Sequence, residues 1–376
     1  MADPEAKMKL GILSTHPIQY QVPLYRELAG RAGVDSRVFY LRLPDPVEQG
    51  RGFDRPFAWD VPLLNGYAWE HCRDVRTQLG RWGADCVLTP GWQDSGIAAA
   101  SDAVRSLDLP RVLRCEASAL RRTGPLRRLA HRWRVRDYGA YAAIGQANRR
   151  FYLDLGIPEG RIFEAPYFVD NPRFTAQAEE HRLSRDAQRR AWGIPDDAFV
   201  FLFAGKLEPK KRPLDLVAAL GHAVRDRNVH ALIVGSGPLE RSVREACGAS
   251  GVRASFTGFL NQSEITRAYT AADCLILPSD AGETWGLVVN EAMVCGLPAV
   301  VSDRVGCGPD LVTPDRTGWT YPCGDVRALA GLVDRIISDP GSARRVGAAA
   351  RERVLASYTA ARAADGVLAA ASSLAG

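Results

Sequence analysis

Two glutamates eight positions apart, Glu283 and Glu291, stand in the segment best suited to chemistry. The segment, PSDAGETWGLVVNEAMVCGLPAV, follows an apolar run and crosses a short loop before an apolar helical pattern begins at about Gly286. The pattern ends at Gly296, with a proline just beyond. A helix start here would present free backbone N–H groups and a positive dipole end, which favour phosphate. Either glutamate alone would be an ordinary solvated side chain. Together they favour a ligand whose hydroxyls donate to carboxylates.

A second charged stretch reads AGKLEPKKRP and follows another apolar run. Its Gly205 allows close approach to the backbone. We predict that Lys206 and Lys211 contact a diphosphate, because fixed cations stabilise the negative charge that develops on such a leaving group. For Lys210 and Arg212 the preferred interpretation is a solvated basic loop.

Two further loops follow strand-like runs. VGSGPL contains Gly235 and Pro238, and TGFL ends at Leu260. These loops either form the floor of a pocket for a nucleotide base or are plain turns between a strand and a helix.

Taken in order, these motifs resemble the donor half of the retaining glycosyltransferases of family 4, which belong to the GT-B class. The matching stretches are GKLEPKK, VGSGPL, TGFL and the E-x7-E pair, and VGCGPDLV and TGWTYPCGD resemble the family's next two motifs. The match covers about residues 199–337. The resemblance implies two doubly wound Rossmann-like α/β domains facing across a cleft. It also implies transfer of a sugar from a nucleotide-sugar donor to a hydroxyl, with retention of configuration.

The resemblance assigns a role to each matching position. Lys206, where the family more often has arginine, and Lys211 would hold the donor diphosphate. Glu283 would hold hydroxyls of the donor sugar, Glu291 would bond the ribose, and Leu260 would meet the base through its backbone. The implied donor-binding residues are Gly205, Gly235, Pro238, Leu260, Trp285, Gly286, Leu287 and Glu291, with Lys206, Lys211 and Glu283 at the reacting centre.

Enzymes of this family usually need no metal, and the sequence has no H-x-H, D-x-D or Cys/His cluster with convincing ligand spacing. We therefore expect no cofactor beyond a UDP- or GDP-linked sugar. No enzymic nucleophile is needed, because the leaving diphosphate can itself take the acceptor's proton.

The first half of the chain matches the family less well. After its first strand it reads STHPIQYQVP, in which His16, Gln19 and Tyr20 could meet an acceptor or a donor phosphate, or could simply pack the loop. Where the family often has a His-Asp pair, this chain reads RCEAS, and Glu116 and Ser118 are candidates for the missing acceptor contacts.

Seven arginines fall between Arg121 and Arg136 with no acidic residue among them. The interleaved apolar residues do not form a clean stripe along the sequence. The segment could rest on anionic lipid or bind a phosphate of the acceptor. An exposed helix in an arginine-rich protein is an equally good interpretation.

Short apolar runs alternate with helical patterns, which predicts parallel α/β domains. We expect a first domain at 8–169, joined by a tail helix at 355–376, and a donor domain at 170–354. The stretch EAPYFVDNPRF at 164–174 is interpreted as the linker. The predicted strands are 9–14, 36–40, 86–89, 111–115 and 140–144, then 199–204, 230–234, 254–257, 274–277 and 299–301.

Composition narrows the function classes. The 376 residues carry a net charge of +5, which suits a phosphate-bearing ligand, and no nucleic-acid motif appears. The start lacks a signal-peptide pattern, and no run approaches the roughly 20 apolar residues of a membrane span. We expect a cytoplasmic protein that could associate peripherally with the inner face of the membrane, with its eight cysteines as free thiols.

The resemblance leaves the acceptor open. A sugar or lipid-linked acceptor in bacterial surface polysaccharide or glycoconjugate synthesis is favoured, and a small metabolite is the alternative. A nucleotide-sugar epimerase and a non-catalytic nucleotide-sugar-binding protein are the remaining alternatives.

Overall fold

The computed structural model describes residues 7–50, 56–121, 123–223 and 228–374. The chain divides into two compact units. The first comprises Met1–Asp45, Pro62–Phe168 and Tyr358–Gly376, and the second comprises Pro46–Val61 and Val169–Ser357.

The first unit is built on a parallel sheet of seven strands within the described residues, in the order β3-β2-β1-β4-β5-β6-β7. Its strands are β1 Met8–Ser14, β2 Val34–Tyr40, β3 Ala68–His71, β4 Cys86–Thr89, β5 Arg111–Leu113, β6 Ala140–Ala143 and β7 Ile162–Glu164. Its helices are α1 Val22–Ala29, α3 Val75–Trp82, α4 Ser95–Arg105, α5 Pro125–Val135, α6 Gln146–Asp154 and α16 Ala360–Ser372, while α2 Pro46–Gln49 groups with the second unit.

The second unit has a parallel sheet of six strands in its described residues, in the order β10-β9-β8-β11-β12-β13. The strands are β8 Phe199–Ala204, β9 Val229–Val234, β10 Ala254–Gly258, β11 Cys274–Leu277, β12 Ala299–Ser302 and β13 Gly318–Tyr321. The helices are α7 Asn171–Arg182, α8 Arg185–Ala191, α9 Pro213–Ala223, α10 Glu240–Ser250, α11 Ile265–Ala271, α12 Leu287–Val294, α13 Gly308–Leu311, α14 Val326–Ser338 and α15 Pro340–Ser357.

The tail helix α16 packs into the core of the first unit. Its Ala363, Val367 and Ala370 are fully buried beside strand residues. A Cβ at Gly366 would lie 1.8 Å from the carbonyl oxygen of Glu164, so the helix backbone rests directly on the end of β7. The last residues of the expected tail, 375–376, lie outside the described residues.

Residues 46–61, which the sequence suggested for the first domain, fall with the second unit. The Phe57 ring lies 4.3 Å from that of Phe259, and Asn261 donates to the Ala58 carbonyl at 2.8 Å. The Ser263 N–H lies 3.2 Å from a carboxylate oxygen of Asp60. These contacts tie the segment to the loop after β10.

The boundary between the two units, after Phe168, falls inside the predicted linker at 164–174, and α7 begins within the same stretch at Asn171. Asp170 caps this helix by accepting from the Arg173 N–H at 3.3 Å, and a proline occupies its first turn. The Asp-Asn-Pro signal therefore marks a helix start rather than a free turn.

Candidate functional site

The glycines after β8 and β9 bring two loops into backbone contact in the second unit. The Gly205 N–H donates to the Val234 carbonyl at 3.0 Å. A Cβ at Gly235 would lie only 2.0 Å from the Gly205 carbonyl oxygen, so no side chain fits there. Both glycines have positive φ, +144° and +122°, which side chains disfavour. The loops at the carboxyl ends of these two strands are thus packed backbone against backbone.

Lys211 and Glu283, 72 residues apart, form a direct ion pair. Lys211 ends a 3-10 turn after β8, and Glu283 lies on the loop between β11 and α12. The ammonium and the hydroxyl of Ser279 both donate to carboxylate oxygen Oε2, the hydroxyl at 3.2 Å. The side chains are 12% and 13% exposed, so the pair is largely shielded from water. A cation predicted for a diphosphate and a carboxylate predicted for a sugar therefore share one site.

The loop that carries Glu283 is held on both sides by backbone contacts. The Asp280 N–H donates to the Lys210 carbonyl at 2.9 Å, and the Gly306 N–H donates to the Glu283 carbonyl at 3.1 Å. A Cβ at Gly306 would lie 1.8 Å from the Thr284 carbonyl oxygen, so only glycine fits. Sequence reasoning did not single out Gly306. The signal available was its place in the VGCGPDLV motif directly after a strand.

Helix α12 begins at an uncapped glycine beside this loop. Gly286 is its N-cap with φ +99°, and it has no side chain to satisfy the first N–H groups. A Cβ there would meet the Leu277 side chain at 2.9 Å and that of Val305 at 3.1 Å. Leu287, the first helical residue, is half-buried. The start of this helix can therefore offer backbone N–H groups to an anion.

The second glutamate is buried inside the unit. Glu291 is 1% exposed and accepts a hydrogen bond from the Tyr269 hydroxyl at 2.5 Å. Trp285 is also buried, and its indole N–H donates to Asn290 at 2.8 Å. The predicted contact of Glu291 with a ribose stays a prediction. Tyr269 was not foreseen, because a tyrosine in an apolar helical pattern is not distinguishable from core.

The four cations of the basic loop fall into two groups that differ in how exposed they are. Lys210 is exposed and lies 3.3 Å from Glu208, and Arg212 is paired with Asp215 at 2.7 Å. Lys206 is half-buried, and this burial lowers the pKa of its ammonium, an effect that Glu208 partly opposes. Lys206 and Lys211 are thus the two less exposed cations.

Leu260 and Pro238 lie on neighbouring loops of the second unit. Leu260 is half-buried and directly follows Phe259, whose ring packs on Phe57. Pro238 is exposed at the end of the VGSGP loop. Their predicted roles around a base stay predictions.

In the first unit, His16, Gln19 and Tyr20 are half-buried in the loop after β1. The imidazole of His16 lies 3.0 Å from the Thr15 hydroxyl. The Ser14 hydroxyl donates to the His16 carbonyl at 3.1 Å. These contacts order the loop locally and leave the acceptor role a prediction.

The residues after β5 make contacts within the first unit. Glu116 accepts a hydrogen bond from the Tyr167 hydroxyl, and the Ser118 hydroxyl accepts from the Leu120 N–H at 3.2 Å, which closes a local turn. Sequence reasoning passed over Arg114, which is 8% exposed and lies 4.8 Å above the Tyr167 ring. Its position at the end of a strand was the signal that could have found it.

The described residues contain no group of three or more His, Cys, Asp or Glu side chains able to hold a metal ion. Across the same residues no helix combines the length and the apolar character needed to cross a bilayer. All eight cysteines are free thiols.

Solved structures identify the fold. The crystal structure of HepE from Anabaena in complex with UDP and glucose is similar over 97% of this chain and 100% of its own, with a TM-score of 0.73 and 16% identity. The chain therefore has the GT-B glycosyltransferase fold, and the expected pair of Rossmann-like α/β domains is confirmed. Residues 184–353, within the second unit, match the model of the family described as "Glycosyl transferases group 1".

Two curated relatives are similar to this chain over part of their length. One is the GDP-mannose-dependent monoacylated alpha-(1-6)-phosphatidylinositol monomannoside mannosyltransferase of Corynebacterium glutamicum, 30% identical over 52% of this chain and 51% of the relative. The other is the 2-deoxystreptamine glucosyltransferase of Streptomyces kanamyceticus, 32% identical over 57% of this chain and 56% of the relative. The chain spans about half the length of each.

Proposed function

We propose that this protein is a glycosyltransferase that binds a nucleotide-sugar donor in its second unit and transfers the sugar to an acceptor hydroxyl. The observation that carries the proposal is the shielded Lys211–Glu283 pair beside the uncapped start of α12. The group 1 family match of residues 184–353 supports the same assignment.

The diphosphate requires positive charge with little mobility. Lys211 is held by Glu283, and Lys206 is half-buried, so neither cation needs much reorganisation when negative charge develops. The start of α12 adds backbone N–H groups and a dipole directed at an anion. The loop at Gly205, which is only half-buried, would let the phosphates approach the backbone.

The sugar requires acceptors for its hydroxyls. Oxygen Oε2 of Glu283 accepts hydrogen bonds from Lys211 and Ser279, which leaves oxygen Oε1 to accept one from a sugar hydroxyl. A hydrogen bond from a hydroxyl to a carboxylate is charge-assisted and therefore stronger than one between neutral groups.

We further propose that transfer proceeds with retention and without a metal. As the anomeric carbon–oxygen bond breaks, the leaving diphosphate oxygen gains the bonding electrons. It then takes the proton of the acceptor hydroxyl, whose oxygen forms the new bond. Lys206, Lys211 and α12 stabilise the charge on the leaving group.

We propose a UDP- or GDP-linked donor. The similar structure in complex with UDP and glucose supports the first, and the relative named GDP-mannose-dependent supports the second. For the acceptor we favour a sugar or lipid-linked molecule of surface polysaccharide or glycoconjugate synthesis. The relative named for 2-deoxystreptamine keeps a small-molecule acceptor as the alternative.

The test combines donor binding with turnover. Thermal unfolding is followed with UDP-, GDP-, ADP- and TDP-sugars, where a ligand at 100 times its Kd adds about 2.7 kcal/mol. Release of nucleoside diphosphate is then measured with a cell-extract acceptor. Lys211→Met should cut turnover by about 100-fold. Its matched control is Lys210→Met, which removes an exposed lysine one position away and should behave as wild type.

Four outcomes count against parts of the proposal. Equal turnover in the two lysine variants would remove Lys211 from the reacting centre. Nucleotide-sugar binding without transfer to any acceptor would favour a binding protein, and isomerisation of the donor would favour an epimerase. Inversion at the anomeric carbon, assigned by NMR of the product, would refute retention.

A further inference from the structure

Helix α5 in the first unit has one face turned towards the protein. Val135 is fully buried, and the His131 ring packs between Trp92 at 5.7 Å and Phe151 at 5.6 Å. This inward face holds the helix in place.

The opposite face of α5 carries an apolar stripe that nothing in the described protein covers. Leu126, Leu129 and Trp133 are 84%, 65% and 55% exposed. Successive residues of a helix are turned by about 100°, so these three positions, with the exposed Ala130, project on the same side. A surface helix normally buries its apolar stripe and exposes its charges. Here the arrangement is reversed for three of the interleaved apolar residues, while Val135 turns inward, so the four do not form one stripe, as the sequence indicated.

Arginines flank the stripe on both sides. The same geometry puts Arg127 and Arg134 along one edge, and Arg132 and Arg136 along the other. Arg136 pairs with Asp137 at 3.3 Å, whereas among the described residues Arg127, Arg132 and Arg134 have no ion pair. Burial lowers the pKa of His131, and the neighbouring arginines lower it further, which agrees with a dense positive field. Arg122, another arginine of this segment, lies outside the described residues.

We propose that α5 is an interfacial helix that binds the surface of an anionic phospholipid bilayer. The stripe of Leu126, Leu129 and Trp133 enters the boundary between headgroups and acyl chains, and the flanking arginines contact lipid phosphates. The helix lies in the membrane plane and does not span it.

Charge and shape both favour a lipid surface over a protein partner. A protein partner would have to remove water from the arginines on both sides of the stripe. In return it would bury only three large apolar side chains. A bilayer lets the long arginine side chains extend to the phosphates while the stripe is buried. Tryptophan favours the depth where one end of the ring is apolar and the other is wet. The inference does not depend on the donor site, which lies in the other unit.

The experiment is sedimentation of the full chain with vesicles. Vesicles of phosphatidylcholine alone are compared with vesicles that contain about a third phosphatidylglycerol. Wild type should bind the anionic vesicles and should not bind the neutral ones. Binding to the anionic vesicles should weaken at high salt. A variant combining Leu126→Ser, Leu129→Ser and Trp133→Ser should lose at least about tenfold in vesicle affinity. The matched control is Leu183→Ser, at a leucine 92% exposed in the second unit, which should bind as wild type.

Folding of the variants is checked by thermal unfolding without lipid and by nucleotide-sugar stabilisation, neither of which should change. Anionic binding that survives the triple variant but is abolished by inorganic phosphate would overturn the proposal and assign the arginines to an acceptor phosphate. A wild-type dimer that the triple variant converts to a monomer would instead assign the stripe to a second copy. Absence of binding to anionic vesicles would refute the proposal outright.

Discussion

Replacing His230 by glutamine should remove a pH-dependent part of the stability of the second unit. His230 lies on β9, is 4% exposed, and its Nε2 is 2.8 Å from the Ser255 hydroxyl. That hydroxyl donates to the Trp192 carbonyl at 2.6 Å, so it can only accept from an Nε2–H. Among the described residues Nδ1 has no hydrogen-bond partner. A proton added at Nδ1 would therefore be buried without an acceptor.

The direction of the effect follows from this environment. Burial, with Arg253 and Arg189 nearby, lowers the pKa of His230 from 6.5 to about 4. Between these values the unfolded chain binds a proton that the folded protein does not, so the free energy of unfolding rises with pH. The contribution is fully present above the unfolded pKa and is lost as the pH falls towards the folded value. Between about pH 7.5 and about pH 5 it amounts to about 2 kcal/mol.

The assay is urea unfolding of the full chain at both pH values. Glutamine at position 230 can still donate to Ser255 and does not titrate, and all other groups titrate alike in both proteins. On acidification wild type should lose about 2 kcal/mol more than His230→Gln. If the two proteins lose the same stability, His230 is not held neutral in the fold and the reasoning is refuted.

Two further predictions concern the donor loops. Burial lowers the pKa of Lys206, so its ammonium loses its proton more readily as the pH rises. Between about pH 7 and about pH 10, wild type should therefore lose about tenfold in affinity for a nucleoside diphosphate. The Lys206→Arg variant keeps its charge over this range and should keep its affinity. Titration calorimetry measures this, and an equal decline in both proteins would contradict it. Gly235→Ala should destabilise the protein by about 1–3 kcal/mol more than Gly251→Ala and abolish nucleotide-dependent stabilisation. Both glycines have positive φ, but only at Gly235 would a Cβ meet backbone atoms. Equal losses of unfolding free energy in the two variants would therefore argue against close packing of the loops at Gly205 and Gly235.

The central strands could be predicted because both of their faces are buried. β4, β8 and β11 read as continuous apolar runs, as parallel strands covered on both sides must. β3, with the sequence AWEH, was missed because it lies at the edge of its sheet, where exposed side chains give no apolar run. β13 was missed because its glycine and threonine interrupt the apolar signal in GWTY.

Local chemistry also predicted the glycine turns after β8 and β9 and missed the start of α7. Glycines directly after strands correctly indicated a close approach of backbone, which at Gly205 and Gly235 is the approach of one loop to the other. The Asp-Asn-Pro signal was read as a linker because a helix cap and a turn use the same residues. Only the Asp170 hydrogen bond distinguishes the two.

The sequence by itself determined the fold class. It also predicted a candidate site at the carboxyl ends of the strands of the second unit and named the residue types available there. Periodicity and turn chemistry are local, so they can be read from neighbouring residues. Tertiary structure alone decided that Lys211 meets Glu283, that Glu291 is buried against Tyr269, and that Leu126, Leu129 and Trp133 face outward. These outcomes depend on which surfaces the packed sheets and helices leave uncovered, and no local pattern encodes that.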